Sequence, residues 1–370
     1  MEYTAMEQYW IWLSSVEGIG AKRFYQLLSV YEDARAVWDA LGGVLVPPEL
    51  RDMLGPASLN ALRDARSEEY FYRLFDALDR KGIRAVTRIS DDYPSALTGI
   101  YDPPPTLYAR GECPLNAEKA FAIVGSRRCT RDGQRAAREI AEGLAREGVT
   151  VVSGLARGVD SCAHRGALDG HGRTVAVLGC GVDVVYPPEN EKLTAEILDS
   201  GGAVISEYAP GTQPLPGNFP PRNRIISGMS AGTLLVEGAK ASGAMITVNF
   251  ALEQGRDVFA VPGGIYSPLS EAPNRMIVDG AIPALSAWEI LEYYRWAARP
   301  GENTAPKAPA AELSDAERAL VEPLREQEMS FEELAKATGM PAGKINSHLT
   351  MLELRGIIEK VPGGMYRAYM

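Results

Sequence analysis

The chain has 370 residues, of which 46% are hydrophobic, and its formal net charge is −10. This length is enough for two or three domains. No apolar run approaches the roughly 20 residues of a transmembrane helix, and the first ten residues contain neither Lys nor Arg, so we expect a cytoplasmic protein without a membrane partner.

Cysteine and histidine usage argues against a metal centre or a disulfide scaffold. The four cysteines are widely spaced, none belongs to a C-x-x-C pair, and there are three histidines. We therefore predict no bound metal and no cofactor. The acidic net charge also disfavours nucleic-acid binding over the whole surface, so any such binding requires a local basic groove.

Residues 1–110 are predicted to form a helical domain. Apolar residues at helical spacing lie on both sides of Gly18-Ile19-Gly20. A tight turn between two amphipathic helices resembles a SAM or helix-hairpin-helix motif, in which turn amides face a phosphate, but an ordinary turn fits equally well. A further helix is predicted over 68–81, and the prolines at 103–105 predict an extended stretch.

Residues 111–298 are predicted to form a Rossmann-like α/β domain. Short apolar runs rich in β-branched residues alternate here with helical segments. Runs that are apolar on both faces are typical of buried parallel strands, and repeated strand–helix units indicate a doubly wound, mostly parallel sheet. The predicted strands are 121–124, 149–152, 174–178, 203–205, 233–236 and 258–261.

The C-terminal part is predicted to contain a linker and a winged helix. Residues 299–312 include three prolines among small and polar residues, which is typical of a flexible linker. In 313–370, three helical segments precede a small hairpin. Ser330 with Glu333 predicts a capping box at the second helix, and Pro341 opens the third.

The loops after the predicted strands hold the candidate site, because ligands of open parallel sheets bind at the carboxyl ends of the strands. The first loop is Gly125-Ser126-Arg127-Arg128. It lacks the G-x-G-x-x-G pattern of a dinucleotide site but offers arginines, whose planar donors match phosphate. We therefore predict a phosphate-binding site distinct from an NAD site.

Further loops add similar residues. The second loop contains Gly154 and Arg157 and leads into a helix with His164, which is either functional or an ordinary core histidine. After the fourth strand, Phe219 is a candidate for stacking on a base. The arginines beside it are candidates for the phosphate backbone, although Phe219 packing into the sheet and Arg224 pairing with a carboxylate such as Glu237 are equally good interpretations. The candidate set is Gly125, Ser126, Arg127, Arg128, Gly154, Arg157, Phe219, Arg222, Asn223 and Arg224.

Several of these motifs together resemble the DprA/Smf DNA-processing family. They occur in order over about residues 120–285, and include Gly125-Ser126-Arg127, 153–160, Tyr186-Pro187, Phe219-Pro220, 222–226 and Val261-Pro262-Gly263. The resemblance implies sequence-independent binding of single-stranded DNA and loading of the RecA recombinase during natural transformation. It also implies a homodimer without catalytic activity, and contact between Arg127 and a DNA phosphate.

Two other functions remain open at this level. Nucleotide-processing phosphoribohydrolases share the Rossmann variant and a Pro-Gly-Gly turn, but here Pro262-Gly263-Gly264 is not followed by Gly-Thr and a Glu. A winged-helix transcription regulator with a ligand-sensing α/β domain is the second alternative. Its candidate recognition helix, 342–354, carries Lys344 and His348 as its cations, which is few for phosphate contacts.

Overall fold

The computed structural model describes residues 3–43, 47–297, 313–354, 357–361 and 365–368. Residue contacts separate two compact units, one ending at Ala297 and the other beginning at Ala298. The predicted linker 299–312 and the predicted hairpin turn 362–364 lie outside the described residues. No helix in the described part is long and apolar enough to cross a membrane.

Six helices open the first unit. They are α1 (Ala5–Ser15), α2 (Ala21–Tyr31), α3 (Ala34–Ala40), α4 (Pro48–Met53), α5 (Pro56–Asp64) and α6 (Glu68–Arg80). Thr4 and Glu7 form a capping box at α1. The α1–α2 turn needs Gly18 at φ +82°, and a Cβ there would lie 2.5 Å from Ser58 Oγ in α5. The turn therefore packs against α5, which favours an ordinary turn over a phosphate-binding one.

A nine-stranded sheet follows. Its strands are β1 (Arg84–Thr87), β2 (Thr106–Gly111), β3 (Ala120–Val124), β4 (Thr150–Ser153), β5 (Thr174–Val177), β6 (Ala203–Ser206), β7 (Gly232–Leu235), β8 (Asp257–Ala260) and β9 (Ile282–Pro283). Their spatial order is β1-β2-β6-β5-β4-β3-β7-β8-β9. Strands β3 to β9 are parallel, and β2 joins β6 in the antiparallel sense. The predicted fold class, a doubly wound and mostly parallel sheet, is confirmed.

The helices of this unit are α7 (Ser95–Thr98), α8 (Arg131–Arg146), α9 (Val159–Asp169), α10 (Glu191–Asp199), α11 (Phe219–Gly228), α12 (Ala244–Glu253), α13 (Glu271–Val278) and α14 (Ala287–Tyr293). One face of the sheet packs against α8, α9 and α14, and the other against α11, α12 and α13. Gly166 brings α9 against α8, since a Cβ there would overlap the Arg138 carbonyl. Both faces of the parallel strands are thus covered, as their unbroken apolar runs predict.

The boundary expected at residue 110 does not match this sheet. Strands β1 and β2 lie before it, yet both pair into the sheet, and Tyr108 of β2 is fully buried. Ile11 and Leu78 of the helical front pack in one core cluster with Tyr108. These two strands were not predicted because β2 follows three prolines, so the local pattern favoured an extended connection, and β1 lies at the edge of the sheet with β2 as its neighbour.

The second unit has the predicted winged-helix elements. They are α15 (Asp315–Glu326), β10 (Met329–Ser330), α16 (Phe331–Thr338), α17 (Ala342–Leu354), β11 (Ile358–Val361) and β12 (Met365–Ala368), with sheet order β10-β12-β11. Ser330 and Glu333 form the predicted capping box at α16. Leu334, Ile345, Leu349 and Ile358 are buried in its core.

Candidate nucleic-acid interface

The connections of the sheet create a crevice at its carboxyl edge. The chain runs from β3 outward through β4, β5 and β6, then returns to place β7 on the other side of β3. Ligands of doubly wound sheets bind at such a switch point. The loops that leave β3 and β7 meet here, so the Gly125–Ser126 segment lies against Glu237: the Ser126 amide donates to the Glu237 carbonyl at 2.7 Å.

The carboxylate of Glu237 occupies the amino end of α8. Thr130 is the N-cap of α8; its amide donates to Glu237 Oε2 at 2.7 Å and its hydroxyl donates to Oε1 at 2.6 Å. A Cβ on Gly133 would overlap the same carboxylate. Helix amino ends attract anions, and in dinucleotide folds a phosphate takes this place. In this chain its own carboxylate fills the position.

A second carboxylate organises the loop after β4. Asp160 is buried, and the amides of Gly154 and Ala156 donate to it, the latter at 3.3 Å. Burial raises the pKa of Asp160, and the positive charge of Arg222 opposes that shift. Ser126 and Gly154 belong to the candidate set, but their amides already donate within the protein, to the Glu237 carbonyl and to Asp160.

Arg222 also departs from the expected groove. Its exposed fraction is 4%, and Nη1 donates to the carbonyls of Gly154, at 2.8 Å, and of Val177. Burial lowers the pKa of Arg222 to about 10, opposed by the Asp160 charge, so the side chain stays protonated at neutral pH. Arg222 holds the β4 loop against β5 rather than facing solvent.

Arg224 is an internal ion-pair centre. Its exposed fraction is 3%, and its two Nη atoms donate to the two carboxylate oxygens of Glu207 at 2.8 and 2.7 Å. Its Nε lies 2.9 Å from Asp102 Oδ1. Arg224 pairs with carboxylates, as one of the two interpretations of the sequence had it, but its partners are Glu207 and Asp102 rather than Glu237. The proposed phosphate contact by Arg224 is corrected accordingly.

Other cations of the predicted set do face outward. Arg127 and Arg128 are exposed, as is Arg131 in the first turn of α8, and none of them forms an ion pair with a residue that the structure describes. Arg157 is also exposed and pairs with Glu189. A short loop carrying Arg127 and Arg128 thus presents two unpaired guanidinium groups at the switch point, although the whole chain is acidic.

An aromatic pair lies beside Arg127. The guanidinium carbon of Arg127 is 5.9 Å from the centre of the half-buried Phe219 ring, and Arg222 approaches the same ring at 5.9 Å. The Tyr186 ring, 39% exposed, is 5.4 Å from that of Phe219. Asn223, half-buried beside them, accepts a hydrogen bond from Arg222 Nε at 3.2 Å.

Three residues of this arrangement were absent from the predicted site. Tyr186 was quoted within the Tyr-Pro motif but not assigned to the site, and its exposed ring next to Phe219 is the more accessible of the two. Asp160 and Glu237 were likewise not assigned, although each follows a strand by a few residues. For Asp160, its place in the first turn of α9 is the signal that could have identified it. Glu237 offers no such local signal, because the helix end that it caps lies more than a hundred residues earlier in the sequence.

His164 is a core residue. Its Nδ1 lies 2.7 Å from Thr174 Oγ1, whose own hydroxyl donates to the Val151 carbonyl, so Nδ1 carries the proton. Burial and the nearby Arg222 charge lower the pKa of His164 from 6.5 to about 3. The imidazole is therefore neutral at physiological pH, and the interpretation as an ordinary core histidine fits this environment.

His164 makes stability depend on pH. In the unfolded chain His164 is protonated below about pH 6.5, whereas in the folded chain it is protonated only below about pH 3. The contribution of neutral His164 to the unfolding free energy is therefore complete above pH 6.5 and declines as the pH falls below it. Between about pH 6.5 and about pH 4.5, we expect His164 to lower the unfolding free energy of the wild-type protein by about 2 kcal/mol. The His164→Gln variant should not show this part of the decrease. Urea denaturation at several pH values measures this. His348→Gln, in the other unit, is the control, and equal pH profiles for wild type and His164→Gln would contradict the assignment.

Comparison with protein families matches both units. The family described as DNA recombination-mediator protein A matches residues 84–295, and the DprA winged helix domain matches 304–364. The chain is 40% identical over 284 residues to Protein Smf of Escherichia coli, covering 75% of each chain. It is 30% identical to Protein Smf of Synechocystis, covering 98% of each.

Solved structures agree with these matches. The X-ray structure of DNA processing protein A from Streptococcus pneumoniae superposes with a TM-score of 0.64 at 33% identity, covering 79% of this chain and 98% of that one. A structure of DNA processing protein A from Helicobacter pylori, described for its single-stranded DNA binding mode, superposes with a TM-score of 0.52 at 26% identity. It covers 58% of this chain and 95% of that one.

Proposed function

Because the chain belongs to the DNA recombination-mediator protein A family, we propose that it binds single-stranded DNA at the carboxyl edge of its sheet, without sequence preference. The observation that carries this proposal is Arg127, which is exposed, has no ion-pair partner in the described part of the chain, and lies against the ring of Phe219, the neighbour of Tyr186. Single strands are held by cations that follow the backbone and by rings on which bases stack, and this combination is present here.

In the proposed mechanism, some side chains contact the DNA and others hold the binding loops in place. Arg127 and Arg128 contact phosphates, joined by Arg157 once DNA draws it from the exposed Glu189. The Tyr186 ring receives a base, with Phe219 behind it. The buried Arg222 stays within the protein, where it stiffens the β4 loop and approaches the other side of Phe219. Such a site binds by charge and stacking and needs no cofactor, so we propose no catalytic step.

The carboxylate of Glu237 argues for this proposal over a nucleotide-processing enzyme. A nucleotide phosphate would have to displace Glu237 from the amino end of α8, where two hydrogen bonds hold it. Incubation with nucleoside monophosphates is the direct comparison, and we expect no release of free base. A DNA strand, in contrast, is bound through side chains that lie outside this position.

We further propose a cytoplasmic homodimer that helps load RecA onto the bound strand during natural transformation. This rests on membership of the family. Two grooves on one strand raise the effective concentration of the second site, which increases avidity without a new contact. Light scattering at tens of micromolar tests the dimer, and a monomer there argues against this part of the proposal.

Arg127→Ala tests the DNA site. We expect weaker binding of an oligothymidylate and a salt slope smaller in magnitude by about 0.7, the value for one phosphate neutralised on a single strand. Fluorescence anisotropy titrations across salt concentrations measure both. Arg146→Ala is the matched control, because it removes one exposed arginine at the other end of α8, about 22 Å away by helix rise. If the two variants have the same affinity and slope, Arg127 is not part of the site.

A further inference from the structure

A separate groove lies in the helical front of the molecule. It has a volume of about 950 Å³ and is formed by the segment before α1 together with α1, α3 and α6. Its lining is rich in aromatic residues, among them Tyr9, Trp38, Phe71, Tyr72 and Phe75. None of these residues belongs to the candidate DNA interface. The volume is within the range of sites that bind small ligands or a few side chains of a peptide.

The charged side chains that line the groove are carboxylates, and the arginines near it lie against its rings or pair with Asp76. The lining includes Glu68, Asp76 and Asp79, and no Lys or Arg is among the described residues that line it. Glu68 is exposed at the first position of α6, and Asp76 is bonded to Arg80 one turn away. These carboxylates repel nucleic acid and anionic lipid, so the groove is unsuited to the strand that the sheet edge is proposed to bind.

The rings of the groove already accept guanidinium groups from the protein itself. The guanidinium carbon of Arg35 lies 6.0 Å from the centre of the Tyr9 ring, and that of Arg66 lies 5.4 Å from the centre of the Trp38 ring. Ring faces of Trp and Tyr attract cations through their quadrupole. The same walls that form the groove therefore have the electronic character needed to bind a cationic side chain.

The aromatic lining is also accessible. The side chains of Tyr9, Trp38, Phe71 and Phe75 are half-buried, and Tyr72 is 72% exposed. Contiguous exposed rings with a polar rim are a mark of interaction sites, where Trp, Tyr and Arg contribute most of the binding energy. Here the rim is acidic, which fixes the charge of the complementary partner.

We propose that this groove binds a basic peptide segment of a partner protein, with an arginine side chain placed against the rings and beside Glu68. Arginine fits better than lysine because its planar group stacks on aromatic faces and its donors pair with a carboxylate at the same time. The site gives the helical front a role in protein recognition that is independent of DNA binding at the sheet edge.

The test uses the full-length protein and a fluorescein-labelled peptide of alternating arginine and glycine, at low salt. We expect saturable binding, and no binding of the peptide with glutamate in place of arginine. Glu68→Gln is expected to lower the affinity about three-fold. Glu69→Gln is the matched control, because Glu69 lies next to it in the same helical turn, is exposed, and does not line the groove.

A second pair of variants tests the rings. Tyr72→Ala is expected to lower the affinity about three-fold, which is the loss of one exposed cation–π contact. Tyr101→Ala removes a tyrosine that is 99% exposed elsewhere and should leave the affinity unchanged. The proposal is overturned if Glu68→Gln and Glu69→Gln bind equally, or if Tyr72→Ala binds like wild type.

Discussion

Replacing Arg222 by alanine is expected to lower the free energy of unfolding of the first unit by about 3–5 kcal/mol. The substitution leaves the buried Asp160 carboxylate without the cation that opposes its desolvation. It also leaves the carbonyls of Gly154 and Val177 without their donor in the interior. Denaturation with guanidinium chloride, followed by circular dichroism, measures the change.

The comparison with Arg127→Ala distinguishes a supporting arginine from a contacting one. Arg127 is exposed and unpaired in the described part of the chain, so its removal should alter stability by no more than about 0.5 kcal/mol while weakening DNA binding. Arg222→Ala should weaken DNA binding together with the fold. A fully stable Arg222→Ala protein that has lost DNA affinity would return Arg222 to the contacting residues and refute the assignment made here.

Replacing Glu237 by alanine is expected to lower the free energy of unfolding by about 3 kcal/mol and to create an anion site. The variant loses the acceptor for the Thr130 amide and hydroxyl and leaves the amino end of α8 open. Inorganic phosphate should then bind there and restore about 1.4 kcal/mol at ten times its dissociation constant. Thermal unfolding at constant ionic strength, with phosphate replacing chloride, measures this.

Glu253→Ala serves as the control for Glu237→Ala, because Glu253 is an exposed glutamate at the end of α12. Its removal changes the net charge by the same amount without opening a helix end. Phosphate should stabilise the Glu237→Ala variant more than either wild type or Glu253→Ala. Equal stabilisation of all three proteins would mean that the carboxylate of Glu237 does not occupy an anion position.

Much of the fold could be predicted from local pattern. Strands such as β3 and β4 are covered by helices on both faces, so their residues are apolar without alternation and are recognisable as buried parallel strands. The winged helix was predictable from its caps, because Ser330 and Glu333 are close in sequence and satisfy the same helix end. Strand β2 was not predicted, because it directly follows three prolines, so the local pattern favoured an extended connection.

The two arginines of α11 show how far the site could be predicted from the sequence. Arg222 and Arg224 are two residues apart, and sequence gives them the same chemical character as Arg127. Their burial depends on Asp160, Glu207 and Asp102, which lie on other loops and come together through the order of the strands. Nothing in local spacing distinguishes a guanidinium that will meet a carboxylate in the interior from one that will face water.

Apart from β1, β2 and β9, the sequence by itself determined the types of the strands and helices, their order along the chain, and the positions of the loops that follow the strands, because these depend mainly on local pattern. The tertiary structure alone decided which charges remain available to a ligand. That outcome depends on desolvation and on partners that are distant in the sequence. Glu237 and Asp160 accept hydrogen bonds from the loop amides, and Arg222 and Arg224 are buried. Arg127 stays exposed beside Phe219 and Tyr186.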